Sequence, residues 1–192
     1  MSKTTTVQLD TVIAGERFVY GGLEFVVLEH TAYGTVAIAA NCVCARPFDN
    51  WNSGNETHND WGTSTLKKWL NDEFLKVLLQ EGATESAFSP MIFDLTAKDG
   101  SDEYETDGSK VGLLDVGNYM EYRRLLPCVY IKWWLIAPNS TETSDHSYNA
   151  RSVDPIGTLN ATSPCFSSVG VRPLCTLQSS TLVSKTEETE NE

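Results

Sequence analysis

A chain of 192 residues with 41% hydrophobic and 10% aromatic content suits one domain with a sizeable core and is too apolar for a disordered chain. At this length roughly 70% of the unfolded surface can be buried, so neither a disulfide nor a metal is needed to make the core. The formal net charge of -12 argues against nucleic acid and against an anionic membrane surface, because both are held by clustered Lys and Arg.

The first forty residues predict a meander of strands. Phe18 and Tyr20, then Phe25 and Val27, alternate with other residues around Gly21-Gly22, a hairpin signal. Residues 25–28 and 36–39 flank a turn at Tyr33-Gly34. Residues 45–62 read as loop. A helix is predicted over 64–81, with Thr63 or Ser64 as N-cap and Leu66, Trp69, Leu70, Phe74, Val77 and Leu78 on one face. Gly82 ends it. A Gly- and acid-rich loop follows over 97–110. The second predicted helix runs over 116–126, capped by Asp115, stopped before Pro127, with Tyr119, Met120 and Tyr122 as its aromatic face. After it no helical period remains. Residues 131–136 form a strongly apolar strand, 139–149 are polar, and short strands are expected near 151–153, 158–160 and 169–177. Strands, two helices, then strands predict an α+β fold with helices packed on antiparallel sheet. The domain is expected to span 1–183, with 184–192 as a flexible acidic tail carrying four Glu and one Lys.

Charge is uneven along the chain. Glu81 to Asp107 holds eight acids against Lys98. Cys128 to Val183 is neutral, with Lys132, Arg151 and Arg172 against Glu142, Asp145 and Asp154. A near-neutral surface rich in Ser, Thr, Asn and aromatics suits recognition of another molecule. Met1 is not followed by an apolar h-region, so no signal peptide is predicted, and no run approaches the ~20 apolar residues of a membrane span. Five cysteines with no Cys-x-x-Cys pair predict free thiols in a protein made in a reducing cytoplasm. A Cys42–Cys44 bridge would require strain.

Chemistry-bearing patterns are sparse. His30, His58 and His146 sit in no triad motif, and no Gly-x-Ser-x-Gly elbow occurs, so no catalytic residues are assigned. Cys42, Cys44, His30 and His58 fit no zinc-finger spacing, and no metal or other cofactor is expected. The acids from Asp94 to Asp107 are of the type that binds calcium, but they do not follow the EF-hand order and read as a solvated loop. Trp133-Trp134 could stack a sugar or anchor a partner. Strand alternation sends one to each sheet face, so at least one is expected in the core. Arg172, the one basic group in an apolar strand, reads as structural, bridging backbone carbonyls or a carboxylate.

Four segments in order carry a resemblance. Trp61 to Asn71, Leu113 to Pro127, Trp133 to Pro138 and Gly170-Val171-Arg172-Pro173 resemble the motifs of a widespread bacterial and phage domain family of unknown function. The last segment is also similar to the Gly-Phe-Arg ending of formylglycine-generating-enzyme-like domains. These have the C-type-lectin fold and include the variable proteins of diversity-generating retroelements. The resemblance implies a C-type-lectin-like, non-enzymatic binding module, phage or prophage encoded and virion-associated. Its ligand-binding surface would lie between the Trp-rich and Gly-Val-Arg strands, where Tyr148, Asn149, Arg151, Asn160, Pro164, Cys165 and Phe166 are the expected contact residues. Tyr, Ser, Asn and Thr dominate adaptable binding loops, and loops on a rigid scaffold tolerate replacement. Expected partners are a protein or glycan on a cell surface and other virion or assembly proteins. A homo-oligomer is compatible with the sequence. Two other readings stay open: a structural capsid or tail component without ligand, and a formylglycine-generating oxidase-like enzyme, for which Cys165 and Cys175 would be the late cysteines.

Overall fold

The computed structural model describes residues 3–97, 99–141 and 149–187. The fold is α+β and mostly sheet. The N-terminal meander comprises β1 (Lys3–Gln8), β2 (Arg17–Tyr20), β3 (Leu23–Thr31) and β4 (Gly34–Ala39), followed by the short β5 (Cys44–Ala45). β2 and β3 form the hairpin expected at Gly21-Gly22, where both glycines take positive φ. At the β3–β4 turn, Gly34 has φ 136, and a Cβ there would collide with the Leu177 carbonyl. Backbone freedom and close approach both demand glycine at that point.

Helix α1 is continuous but not uniform. It is α-helical over Thr65–Trp69, π-helical over Leu70–Phe74 and α-helical again over Leu75–Gln80. Ser64 caps it, its hydroxyl accepting from the Lys67 amide at 3.1 Å. The π segment adds a residue to the turn and shifts the buried stripe by one position. Leu66, Leu70 and Phe74 are buried as the 3.6-residue period predicts. After the π segment the stripe continues through Leu75 and Leu78, and Val77 is exposed.

The middle of the chain holds β6 (Phe88–Ser89), β7 (Met91–Asp94), β8 (Thr106–Ser109), β9 (Val111–Gly112) and helix α2 (Val116–Tyr122). β7 and β8 pair as a hairpin, so the acidic segment is partly strand instead of all loop. α2 is capped by Asp115, whose carboxylate accepts from the Asn118 amide at 2.9 Å. It ends at Tyr122, shorter than the predicted 116–126, because residues 123–125 tighten into turns. Tyr119 is its buried aromatic, whereas Met120 is exposed.

The C-terminal part comprises β10 (Trp133–Pro138), β11 (Ala150–Val153), β12 (Leu159–Thr162), β13 (Gly170–Val171), β14 (Leu174–Leu177) and β15 (Leu182–Glu187). β14 and β15 join the meander in one antiparallel sheet ordered β1-β15-β2-β3-β4-β14-β6, with β9 also on β14. The second sheet is ordered β12-β11-β10-β13-β5, and its β10–β13 pair is parallel. Ordered pairing continues past residue 183: Ser184 faces both Thr6 and Val19, and Lys185 faces Thr5. The Lys185 ammonium donates to Glu16 at 2.7 Å, so the last strand is held by side chains as well as by its ladder. Residues 188–192, the remainder of the expected tail, lie outside the described residues.

β10 is buried along its whole length. Both tryptophans are core, because each face of this strand is covered. Trp133 meets Tyr119 edge-on at 5.7 Å and lies under the Arg172 guanidinium. Trp134 packs edge-on against Phe48 at 5.7 Å and donates its indole N–H to the Arg46 carbonyl at 2.8 Å. Arg172 is 1% exposed and donates to the carbonyls of Ala39 (2.7 Å), Ala40 (2.9 Å) and Pro127 (3.4 Å). It therefore ties the end of β4 to the segment after α2. Among the described residues no helix is long and apolar enough to cross a membrane.

Candidate binding cleft

The loop between β5 and α1, read from sequence as plain connection, is anchored deep in the fold. Phe48 is fully buried between Trp61 (5.9 Å) and Trp134. The amides of Phe48 and Asp49 both donate to the Pro164 carbonyl, at 2.7 and 3.2 Å, and the Phe48 carbonyl accepts from the Leu66 amide. These bonds fix the loop to the first turn of α1 and to the segment after β12.

Asp49 organises the rest of this loop. Its side chain is fully buried, yet every hydrogen bond around it favours the carboxylate. Oδ1 accepts from the Thr65 amide at 3.0 Å. Oδ2 accepts from Ser53 Oγ (2.8 Å), Asn55 Nδ2 (3.0 Å) and His58 Nδ1 (2.8 Å). Burial alone would raise the Asp49 pKa. The bonds from His58, Ser53, Asn55 and the Thr65 amide more than offset it and hold the group below its ordinary value. The His58–Asp49 bond also fixes the imidazole: Nδ1 carries its hydrogen toward Asp49, which leaves Nε2 as the outward nitrogen.

Above this buried hub lies an exposed aromatic. The Trp51 ring meets His58 edge-on at 5.2 Å while remaining 73% exposed. Trp51, Glu56 and His58 form one side of a cleft of about 280 Å³. Asn149, Ser163 and Pro164 form the other. The far side is held by Asn59, whose buried side-chain amide donates to the carbonyls of Ser140 (2.9 Å) and Asn149 (3.2 Å), while Tyr104 Oη donates to its oxygen at 2.7 Å. The Asn139 amide also reaches the Asn149 carbonyl at 2.8 Å. The two ends of segment 140–149 are thereby clamped at the cleft wall.

The acidic segment contributes to this clamp. Asp99 accepts from the Ser101 amide and hydroxyl. The Ser101 hydroxyl in turn accepts from the Thr141 amide at 2.8 Å. The hydroxyls of Ser101 and Ser140 hold the Asp99 carboxyl down at about 2. Asp94 accepts from Thr96 in the same manner, and Asp107 pairs with Lys67. Asp94, Asp99 and Asp107 thus serve separate turns and contacts. Among the described residues no group of three or more His, Cys, Asp or Glu is placed to hold a metal ion.

The expected contact residues are partly gathered. Asn149 and Pro164 line the cleft together, but Pro164 is buried, because its carbonyl receives the two loop amides. Cys165 is half-buried. Burial and then the nearby Asp49 charge raise its pKa, so it is a thiol and not an activated thiolate. Phe166 is exposed at 57%. Arg151 faces Ala161 across the β11–β12 ladder, and Asn160 faces the adjacent Ser152, so the two side chains leave opposite faces of the sheet. Asn160 donates to Asp154 at the far end of that hairpin. A single exposed face holding all the expected residues is therefore not formed. Tyr148 lies outside the described residues.

Chemically, the cleft offers an aromatic surface, a fixed imidazole, a carboxylate, an amide and a hydroxyl. Ser53, His58 and Asp49 are the residue types of a hydrolytic triad, but Ser53 and His58 Nδ1 converge on the same carboxylate oxygen. Among the described residues no hydroxyl or thiol bonds to His58 Nε2, where a nucleophile would be activated. The groups missed from sequence, Asp49, Trp51, His58 and Asn59, carried one visible signal: a loop with two tryptophans, Trp51 and Trp61, beside Asp and Asn is unusually rich for solvated connection.

Comparison with known proteins gives a family. No curated protein matches the chain, and no solved structure does. Residues 80–179 match the model of the family described as Domain of unknown function (DUF6273). The match takes in α2, the second sheet apart from β5, and the Asn149–Pro164 side of the cleft, while the Asp49–Trp61 loop lies before it. With more than half of its length matched, the chain belongs to the DUF6273 domain family.

Proposed function

We propose that this protein is a ligand-binding module with a C-type-lectin-like fold, whose recognition surface centres on the Trp51 cleft and extends onto the polar interval 139–168. One observation carries the reading. A large aromatic side chain is held out to solvent over a loop anchored by the buried Phe48, Asp49, Asn59 and Trp61 and cross-linked through the Asp49 carboxylate, beside the clamped ends of segment 140–149. Exposing an indole gains a monomer nothing, whereas a rigid, preorganised aromatic is the commonest source of binding energy at an interface. The C-type-lectin-like assignment is supported by the convergence of the four resembling motifs. Trp61 and Trp134 enclose Phe48, the Ile136 amide donates to the Leu114 carbonyl, and Arg172 covers Trp133. Phage or prophage origin and display on a virion rest on the same motif resemblance.

The test is selection followed by substitution. The intact protein is screened against a glycan array and a random peptide library, and each retained ligand is re-measured with Trp51→Ala and Asn149→Ala. Loss of the aromatic should weaken binding by about 2 kcal/mol or more, roughly thirtyfold. The melting midpoint should hold, because Trp51 is not part of the core. If both screens retain nothing, or if retained ligands ignore Trp51→Ala, the structural-component reading replaces this one.

A further inference from the structure

A second concavity lies on the opposite side of β10 from the Trp51 loop. It holds about 440 Å³ and runs between the end of α2, the segment 126–129 and the β11–β12 turn. Its apolar wall includes Val129, Trp133, Pro155 and Ile156, and Ile156 is 87% exposed. Tyr119 closes one end by donating to the Gly157 carbonyl at 2.8 Å.

The charge here runs against the rest of the chain. Three arginines, Arg123, Arg124 and Arg172, line a groove in a protein of net charge -12. The one lining carboxylate, Asp154, is already engaged by Asn160 at 2.5 Å and by Lys132 at 3.6 Å. Among the described residues none of the three arginines has a carboxylate within ion-pair distance. For exposed Arg123 and Arg124 this is ordinary. For Arg172 it is not, because it is 1% exposed and a buried charge normally has a counter-ion. Its five N–H groups meet three carbonyls, and the longest bond, from Nη1 to Pro127 at 3.4 Å, is the one at the groove wall. Burial lowers the Arg172 pKa to about 10, as expected for a guanidinium whose charge is not neutralised nearby.

We propose that this groove binds a small carboxylic acid with an apolar body, the carboxylate at Arg123 and Arg124 within the field of Arg172 and the apolar part against Trp133, Pro155 and Ile156. The volume admits a ligand of that size, and guanidinium forks match carboxylate geometry. The site is independent of the Trp51 cleft.

The experiment tracks backbone amide resonances of the intact protein during titration with 4-phenylbutyrate, octanoate and the neutral 4-phenylbutanamide. At least one acid should shift amides in 119–129 and 153–157 and leave those around Trp51 in place. The amide analogue should bind about tenfold more weakly or worse, and added salt should weaken the acid. Arg123→Gln with Arg124→Gln should remove that tenfold preference without changing the melting midpoint, since both side chains are exposed and unpaired. The proposal is overturned if neither acid moves these resonances at millimolar concentration, if acid and amide bind alike, or if the double substitution leaves the preference intact.

Discussion

Replacing Asp49 by alanine is expected to destabilise the protein by about 3–5 kcal/mol, the cost of removing one partner from a buried, charged hydrogen-bond cluster. Four donors would lose their acceptor together: the Thr65 amide, Ser53 Oγ, Asn55 Nδ2 and His58 Nδ1. The loop's own position would also suffer, because the neighbouring amides hold Pro164. Asp49→Asn keeps the shape, but it turns an amide toward donors or forfeits the charge that draws them, so most of the loss should remain. Acid titration gives an independent check. The Asp49 pKa is lowered in the folded state from an ordinary value of 3.8. Its stabilisation is therefore complete above that ordinary value and is lost as pH falls through the folded one. Equilibrium unfolding over that acid range should show a shallower loss of stability for Asp49→Asn than for the native protein.

The second large effect concerns the paired tryptophans. Trp133→Ala and Trp134→Ala should each cost about 3–5 kcal/mol, because each empties a filled site on its own face of β10. For a domain of this size roughly 2–4 °C of melting temperature is lost per kcal/mol, so both variants should melt about 6–20 °C lower. Trp134→Ala also strands the Arg46 carbonyl that the indole N–H satisfies, and Trp134→Phe should recover packing but not that bond. Thermal denaturation of the four proteins decides the matter. A negligible loss in either alanine variant would mean that one face of the strand is not packed.

What the sequence made legible was local. The caps at Ser64 and Asp115, the hairpin at Gly21-Gly22 and the helix beginning after Ser64 derive from side-chain hydrogen bonding and periodicity within a few residues. The π segment at Leu70–Phe74 was not legible, since an extra residue in a turn leaves the composition unchanged and shows only as a slipped stripe after Phe74. Strand alternation correctly sends Trp133 and Trp134 to opposite faces, but alternation does not reveal that both faces are covered. The cleft was half legible. Asn149 and Pro164 stand in it because the start of β11 and the end of β12 lie side by side at its wall. Trp51 and His58 reach it from a loop about a hundred residues earlier, held by Asp49 through bonds that no spacing in the chain records. Arg151 and Asn160 were grouped by sequence proximity, and the ladder between β11 and β12 separates them by face.

The role of Trp51 as the contact aromatic of a preorganised cleft is open to one direct observation. The protein has five tryptophans, and among the described residues Trp51 is the strongly exposed one. Titration of a ligand retained in the glycan or peptide screen should move the Trp51 indole N–H resonance, assigned by its absence in Trp51→Ala, and hold the other four in place. A retained ligand that saturates the protein while the Trp51 resonance stays fixed would contradict that role.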